Sequence, residues 1–482
     1  MRTEQVLAAI ERERERHERE LVELLRIPSV STEPERAQQV RRAAEWVRRA
    51  LADAGCQARL VETARHPIVY AERPAPSGRP TVLVYGHYDV QPADPERDGW
   101  SRPPFEPVIA GGNIYARGAS DDKGQMLAWV HAARAWHQAA GGPPVGLKFV
   151  IEGEEEIGSP NLGPWIAAHR DLLAADVVAI SDMDQFAPGM PALTYGLRGL
   201  LYVELRVYGP AEDLHSGIYG GAVMNPATAL CRVLGRLHDE RGRVAVDGFY
   251  DEVRPLEPWE REMFAALPHD DARYAAELGV PALVGEEGYS TLERVWARPT
   301  LEVNGLFGGF QGPGAKTVLP GYAGAKLSMR LVPDQDPAKV YAGLRRTIER
   351  LMPPGVRWDL GAPGPGATAS GAARRAPLAQ SPEAAPAVLL ERSSPFAAAA
   401  ARAIAAGFGR EPVWVRSGGT IPVVLLFKQH LGLDAVLMGY GLPDDNKHGP
   451  DEKLCLEDFH RGCRTSALFF AEVARAAGAR AG

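Results

Sequence analysis

The stretch VLVYGHYDVQP, residues 83–93, sets His87 and Asp89 two residues apart at the end of an apolar run. On a strand, residues i and i+2 point the same way, so imidazole and carboxylate leave the sheet side by side. The aspartate is then placed to fix the ring's orientation, as a metal site or a catalytic base requires. Further residues of the same chemical kind follow: Asp121 in ARGASDDKGQ, Glu155 and Glu156 in IEGEEEIGS, Asp182 in AISDMD and His448 in DNKHGPDEK. Each falls at the end of a strand pattern or in the loop after it, where open α/β sheets carry their sites. Two histidines, flanking carboxylates and one shared carboxylate make a cage for two zinc-like cations. Such a pair polarises a carbonyl and generates a nucleophile from water. The reaction also needs a proton carrier that is not a ligand, and adjacent glutamates supply one of each kind.

Taken singly, these motifs have plainer readings. EGEEE reads as a solvated acidic turn, Asp121-Asp122 as a cap before KGQMLAWV, and His448 as loop surface. EGEEE, however, closes an apolar strand and is followed by IGS. All five sites in this order, at strand ends, point to metals.

The elements that must position them are legible from hydrophobic pattern. TVLVYGH is a short continuous apolar run, the mark of a strand buried on both faces. ARLVET, PIVYAE, GLKFVIEGEEE and DVVAISD read as further strands. AQQVRRAAEWVRRALADAGC, KGQMLAWVHAARAWHQA and GPWIAAHRDLL read as helices, and the N-terminal MRTEQVLAAIERERERHERELVELL as one amphipathic helix. Strand and helix alternate to about residue 184, which predicts an α/β layer with a mainly parallel sheet and helices on both faces. From Tyr195 the texture changes: LLYVELRVYG alternates as half-buried antiparallel strands do. NPATALCRVLGRLHDE and PAKVYAGLRRTIERL follow as helices, then AGAKLSMRLV and VRWDL as strands. Residues 361–385, small and Pro-rich, predict an excursion from packed structure. The α/β pattern then resumes. The organisation is a catalytic domain over 1–196 and 388–482, interrupted by an inserted α+β domain over 197–387.

The totals fit. A chain of 482 residues, 45% hydrophobic and 24% charged, suits two domains. A formal net charge of −7 without a basic block argues against nucleic acid as partner. Cys56, Cys231, Cys455 and Cys463 are scattered with no CxxC pair, which predicts free thiols in a reducing cytoplasm. No run approaches 18 apolar residues, so no membrane span is expected, and the N-terminus lacks the apolar core of a signal peptide.

GHYDVQP, ARGASDDKG, EGEEEIGS, ISD, YGLRGLLYVELRVYGPAEDLHSGIYGG, NGLFGG, GAKTVLP, MRLVPDQDP, SGGTIP and HGPDEK together resemble the dizinc metallopeptidases, nearest the branch of carnosinase and the cytosolic nonspecific dipeptidases. The likeness runs from about residue 20 to the C-terminus. It implies a homodimer that hydrolyses dipeptides with two divalent ions per chain, zinc first and manganese or cobalt as alternatives. His87 and Asp182 would hold one ion, Glu156 and His448 the other, and Asp121 would bridge them. Asp89 would orient His87, and Glu155 would be the general base. Glu154 competes for that role and Asp184 competes with Asp182. The resemblance also implies a cis peptide after Asp121. The inserted domain would serve as lid and dimerisation domain, its His215 reaching the partner subunit's site to steady the oxyanion. Arg330 would grip the substrate's C-terminal carboxylate, with Thr317 and Thr420 adding hydroxyl contacts and Asn304 near the same pocket.

The sequence departs from the pattern in two places. Thr420 stands where relatives usually have Ser, and no histidine occurs between His269 and His430. A lid histidine of some carnosinases is thus missing, and a preference for carnosine does not follow. Two rivals share the motifs: an N-acyl amino acid deacylase with the same cage, and a non-catalytic protein that kept the fold. Retention of every ligand and of the base argues against the second.

Overall fold

In a computed structural model that describes residues 2–362, 378 and 382–478, the apolar run Thr81–His87 lies inside a mixed sheet. It pairs in parallel with Gly146–Glu152 on one side and Val177–Ile180 on the other. Ala435–Met438 extends the parallel set beside Val177–Ile180. Antiparallel strands flank this centre: Ile68–Arg73 and then Gln57–Val61 at one side, Ala192–Leu197 at the other. Residues alternate across the pleat. Val82 and Val84 accordingly pack with the cluster around the helix Lys123–Ala140, while Tyr85 meets Phe427 of the helix Pro422–Leu431 edge-on, ring centroids 5.8 Å apart. Helices therefore cover both faces.

Lys123–Ala140 is buried on every side from Lys123 to Trp136, in keeping with a mostly apolar sequence whose polar members Lys123, Gln125, His131 and Arg134 are themselves buried. Gly141, left-handed at φ 74°, ends it. The N-terminal segment differs from expectation: it forms two helices, Arg2–Arg12 and Arg14–Leu25, that break at Glu13. The second helix thereby turns His17, Leu21, Leu24 and Leu25 into the core.

The described chain forms two compact units, Met1–Tyr195 with Leu390–Val415 and Pro422–Gly482, and Gly196–Leu389 with Arg416–Ile421. The sequence pattern assigns Arg416–Ile421 to the returning catalytic segment; it packs instead with the inserted unit, to which Ser417, Gly418 and Thr420 are hydrogen-bonded. That unit is built on an antiparallel sheet ordered Thr300–Gly308, Tyr322–Leu331, Gly199–Tyr208, Arg357–Gly361. Alternate residues Leu201, Val203, Leu205 and Val207 face a core shared with the helices Pro226–Leu234 and Pro337–Leu351. Thr300–Gly308 is the edge strand, and it leaves Val303 and Leu306 exposed. The excursion expected over 361–385 falls largely outside the described residues. Among them no helix is long and apolar enough to cross a membrane.

In the first unit, three histidines from three helices meet in the interior. His17 stacks on His131 with centroids 4.0 Å apart, and His460 of the helix Leu456–Gly478 lies 6.2 Å from His17. Burial, with the charges of Arg134, His460, Arg16 and Arg14, pushes His17 down to about 3. Burial likewise holds His131 well below the usual range and lowers His460 despite its 2.8 Å contact with Glu18. The unfolded chain takes up protons on His17 and His131 near pH 6.5 while the native protein does not. Stability is therefore full above that pH and declines as pH falls below it, by up to about 1.4 kcal/mol per pH unit for each such histidine. Thermal unfolding should show a midpoint that drops between about pH 7 and pH 5. His17→Phe, which keeps a stacked ring without the proton site, should flatten the drop; parallel curves would exclude the cluster as its source.

Candidate active site

The parallel strands deliver their carboxyl ends to one rim. His87 closes Thr81–His87, Asp182 follows Val177–Ile180, and Glu155 and Glu156 lie in a short 3-10 turn just after Gly146–Glu152. His448 comes from the loop after Ala435–Met438, where its own φ is left-handed at 61°. Asp121 sits just before the buried helix, and the peptide joining it to Asp122 is cis, as the resemblance implies.

These side chains converge. His87 Nε2 is 3.1 Å from Asp121 Oδ1 and 3.8 Å from Asp182 Oδ2. His448 Nε2 is 3.0 Å from Asp121 Oδ2 and 3.4 Å from Glu156 Oε2. Two groups with metal-ligand geometry result, His87–Asp121–Asp182 and Asp121–Glu156–His448, with Asp121 common to both. The donor set of imidazole and carboxylate fits divalent zinc, manganese or cobalt. The electrostatics fit as well. Burial, then the charge of Asp121, pushes Glu156 up to about 9 and raises Asp182. Carboxyls so placed gain from cations that let them ionise.

Asp89 holds the arrangement from behind. Its Oδ2 accepts hydrogen bonds from Ser31 Oγ at 2.7 Å and the Glu156 amide at 3.1 Å, and its Oδ1 accepts from the Glu155 amide at 3.3 Å. His87 Nδ1 lies 3.1 Å from the Asp89 carbonyl oxygen and 3.4 Å from Oδ1. Nε2 is thereby turned toward the carboxylates.

The three consecutive glutamates separate by their surroundings. Both Glu154 oxygens accept from Asn161 Nδ2, at 2.7 and 3.0 Å, and Oε1 also takes Thr63 Oγ1 and the His66 amide. Glu154 is a fastener of its loop. Glu155 makes no side-chain hydrogen bond among the described residues. Burial raises its carboxyl well above the usual range, with Asp182, Glu156 and Asp121 adding to the effect. It is the unengaged carboxyl beside the cluster. Asp184 Oδ1 lies 3.1 Å from Lys447 Nζ and is absent from both ligand groups.

Several residues escape sequence reasoning. Glu452 is fully buried and accepts from the amides of Gly118, Ser120 and Asp121 and from Arg117, so it clamps the loop that carries Asp121. Lys447 Nζ lies 3.5 Å from Asp182 Oδ1, and Gln91 Nε2 donates to Glu156 Oε2 at 2.7 Å. The block NKHGPDEK contains Lys447 and Glu452, but only tertiary contacts assign their tasks.

In the second unit, His215 ends a two-residue strand paired with Val318–Leu319. Its Nδ1 accepts the Gly217 amide at 3.0 Å, so Nε2 carries the hydrogen of the neutral ring. The Thr317 carbonyl accepts the Ser216 amide at 3.0 Å, which ties that residue to the same corner. Arg330 Nη1 donates to Thr420 Oγ1 at 2.9 Å. Asn304 is exposed on the edge strand, at a register shift between Val303 and Gly305.

Comparison with known proteins agrees with this geometry. The pattern of peptidase family M20/M25/M40 matches residues 83–472. Beta-Ala-His dipeptidase of Homo sapiens is 33% identical over 411 residues, covering 85% of this chain and 78% of that protein. Cys-Gly metallodipeptidase DUG1 of Saccharomyces cerevisiae is 32% identical over 424 residues, covering 84% and 81%. The crystal structure of human carnosine dipeptidase 1 superposes with a TM-score of 0.82 at 30% identity, over 98% of this chain and 99% of that one. The chain belongs to peptidase family M20/M25/M40, and it is a hydrolase of the metallodipeptidase kind.

Removal of the shared carboxylate should empty the cage, because among the described residues it is the one common to both groups and a bridging carboxylate offsets the repulsion between two dications. Asp121→Ala is expected to lose both ions by elemental analysis. Chelation should lower the wild-type melting midpoint, by the equivalent of about 2.7 kcal/mol where free metal had stood at a hundredfold its Kd, and leave the variant unmoved. Two ions per chain in Asp121→Ala would refute the bridging role.

Proposed function

We propose that this chain cleaves dipeptides with free C-termini, in the cytoplasm, as a homodimer that carries two zinc ions per chain, with manganese or cobalt as substitutes. The observation that carries the reading is the pair of ligand groups sharing Asp121 with the unengaged Glu155 beside them. His87 and Asp182 would hold one ion, Glu156 and His448 the other. When bound, the ions polarise the scissile carbonyl and acidify water. Glu155 takes the proton of the attacking water and hands it to the leaving amine. Asp89 keeps His87 in its ligating tautomer and aligns the Glu155 turn through the two amides it accepts.

His215, its Nε2 hydrogen pointing away from the bond to Gly217, steadies the developing oxyanion in the site of a second copy. Arg330, with Thr420, grips the C-terminal carboxylate, and Thr317 and Asn304 add polar contacts. The exposed apolar edge strand, with Val303, Leu306 and the nearby Phe310, supports pairing of two copies. All four cysteines are unpaired, in keeping with a reducing compartment.

The test is a hydrolysis panel of dipeptides, dipeptide amides and N-acetyl amino acids with each divalent metal added back; a clear preference for the acyl amino acids would overturn the reading. Within it, Glu155→Gln preserves shape but cannot carry a proton. It should keep both ions while turnover falls by roughly 10²–10⁴, and near-normal turnover would remove Glu155 from the role.

Subunit mixing tests His215. Homodimers of His215→Ala and of Glu155→Ala should both be nearly inactive. Each mixed dimer holds one site lacking both groups and one wild-type site. Random mixing of equal amounts should therefore recover about a quarter of wild-type activity. No recovery in a doubly tagged mixed dimer would place His215 in its own chain's site.

A further inference from the structure

The motif YGLRG, residues 195–199, spans the start of the inserted unit. Its arginine is unusual among the buried cations of this protein. The fully buried arginines each rest on a carboxylate: Arg117 on Glu452, Arg134 on Glu20, Arg206 on Glu204, Arg298 on Glu286 and Arg416 on Glu260. Arg198 and Arg330 are half-buried, and neither forms an ion pair among the described residues. Arg198 is held by oxygens of neutral groups instead: Nε donates to the Gly418 carbonyl at 3.1 Å and Nη1 to the Arg298 carbonyl at 3.5 Å. A hydroxyl ties the Arg330 guanidinium to the main chain at Arg198, since Arg330 Nη1 donates to Thr420 Oγ1 and that hydroxyl donates to the Arg198 carbonyl at 2.7 Å.

The loop 416–421 packs closely on Arg198. A Cβ at Gly418 would stand 2.8 Å from the Val295 carbonyl oxygen and 2.9 Å from Arg198 Nη2, so glycine is what lets main chain and guanidinium come this near. Burial, then the charge of Arg330, lowers Arg198 to about 10, and Glu302 on the edge strand is the acidic group that partly opposes this. Two guanidiniums half out of water, each donating to the loop 416–421 and neither in an ion pair among the described residues, are a costly arrangement that anions would relieve. A single C-terminal carboxylate neutralises only one of them.

We propose that Arg198 and Arg330 form a doubly cationic subsite, Arg330 taking the substrate's α-carboxylate and Arg198 a second carboxylate on the side chain of the same C-terminal residue. The substrate class singled out is dipeptides ending in glutamate or aspartate. This inference rests on the assignment of Arg330 made above. Arg330 supplies affinity for every free C-terminus, and Arg198 discriminates between acidic and neutral C-terminal residues.

The metal-loaded enzyme is to be assayed on Ala-Glu, on its neutral near-isostere Ala-Gln, and on the amide of the latter. Wild type should favour Ala-Glu over Ala-Gln in kcat/KM by about tenfold, the worth of one charge-assisted contact. Arg198→Gln should bring that ratio close to one, and Arg198→Lys, which keeps the charge, should retain most of it. Arg330→Gln should lose rate on both free dipeptides and much less on the amide. A wild-type ratio near one, or a ratio unchanged in Arg198→Gln, overturns the role of Arg198. Equal losses of Arg330→Gln on free dipeptides and amide overturn instead the reading on which it stands.

Discussion

One buried carboxylate sets the geometry of this metal centre. Asp89 accepts from Ser31, from the amides of Glu155 and Glu156, and faces Nδ1 of His87. A carboxylate without exposure to water must have its lone pairs satisfied, and here the satisfying donors belong to separate segments of the chain. The turn that carries Glu155 and Glu156 is thereby held at fixed offset from the histidine. Residues at the ends of neighbouring strands act in concert because a single acceptor spans them.

The other side of the cage follows a similar rule. Glu452, also fully buried, gathers the amides of Gly118, Ser120 and Asp121. The carboxylates of the two candidate ligand groups are thus positioned by others that accept from backbone N–H groups. Acidic residues are abundant around the site, yet their surroundings divide them: some face N–H donors and fix loops, and others face one another in the cluster. Glu154, Glu155 and Glu156 show the division within three consecutive positions of identical chemistry.

Much of this was legible in the sequence, for a physical reason. Ligands that sit at strand ends inherit the strand's apolar run as a signpost, so His87, Asp182 and the glutamate turn could be placed from pattern alone. The motifs carried the pairing of His448 with Glu156, which no local pattern could supply. What escaped was set by partners distant in the chain. His17 lies in ERERERHERELVELL, which reads as a solvated face, and only the packing of three helices reveals an interior imidazole. Continuity of the chain assigns the short loop Arg416–Ile421 to the returning segment, whereas its hydrogen bonds commit it to the inserted unit. Glu154 could be told from Glu155 only by Asn161 and Thr63.

The sheet order has a bearing on how the polypeptide is made. Ala435–Met438 lies between Val177–Ile180 and Ala192–Leu197, strands synthesised hundreds of residues earlier. Until it emerges, each of these apolar strands has an open hydrogen-bonding edge, and the nascent layer is split down its middle. The intervening unit closes its own antiparallel sheet from residues already translated. The late strand then joins both halves and brings in the loop that carries His448. The nascent chain spends that interval with two sticky edges, the period in which a partly made protein most needs shielding from its neighbours.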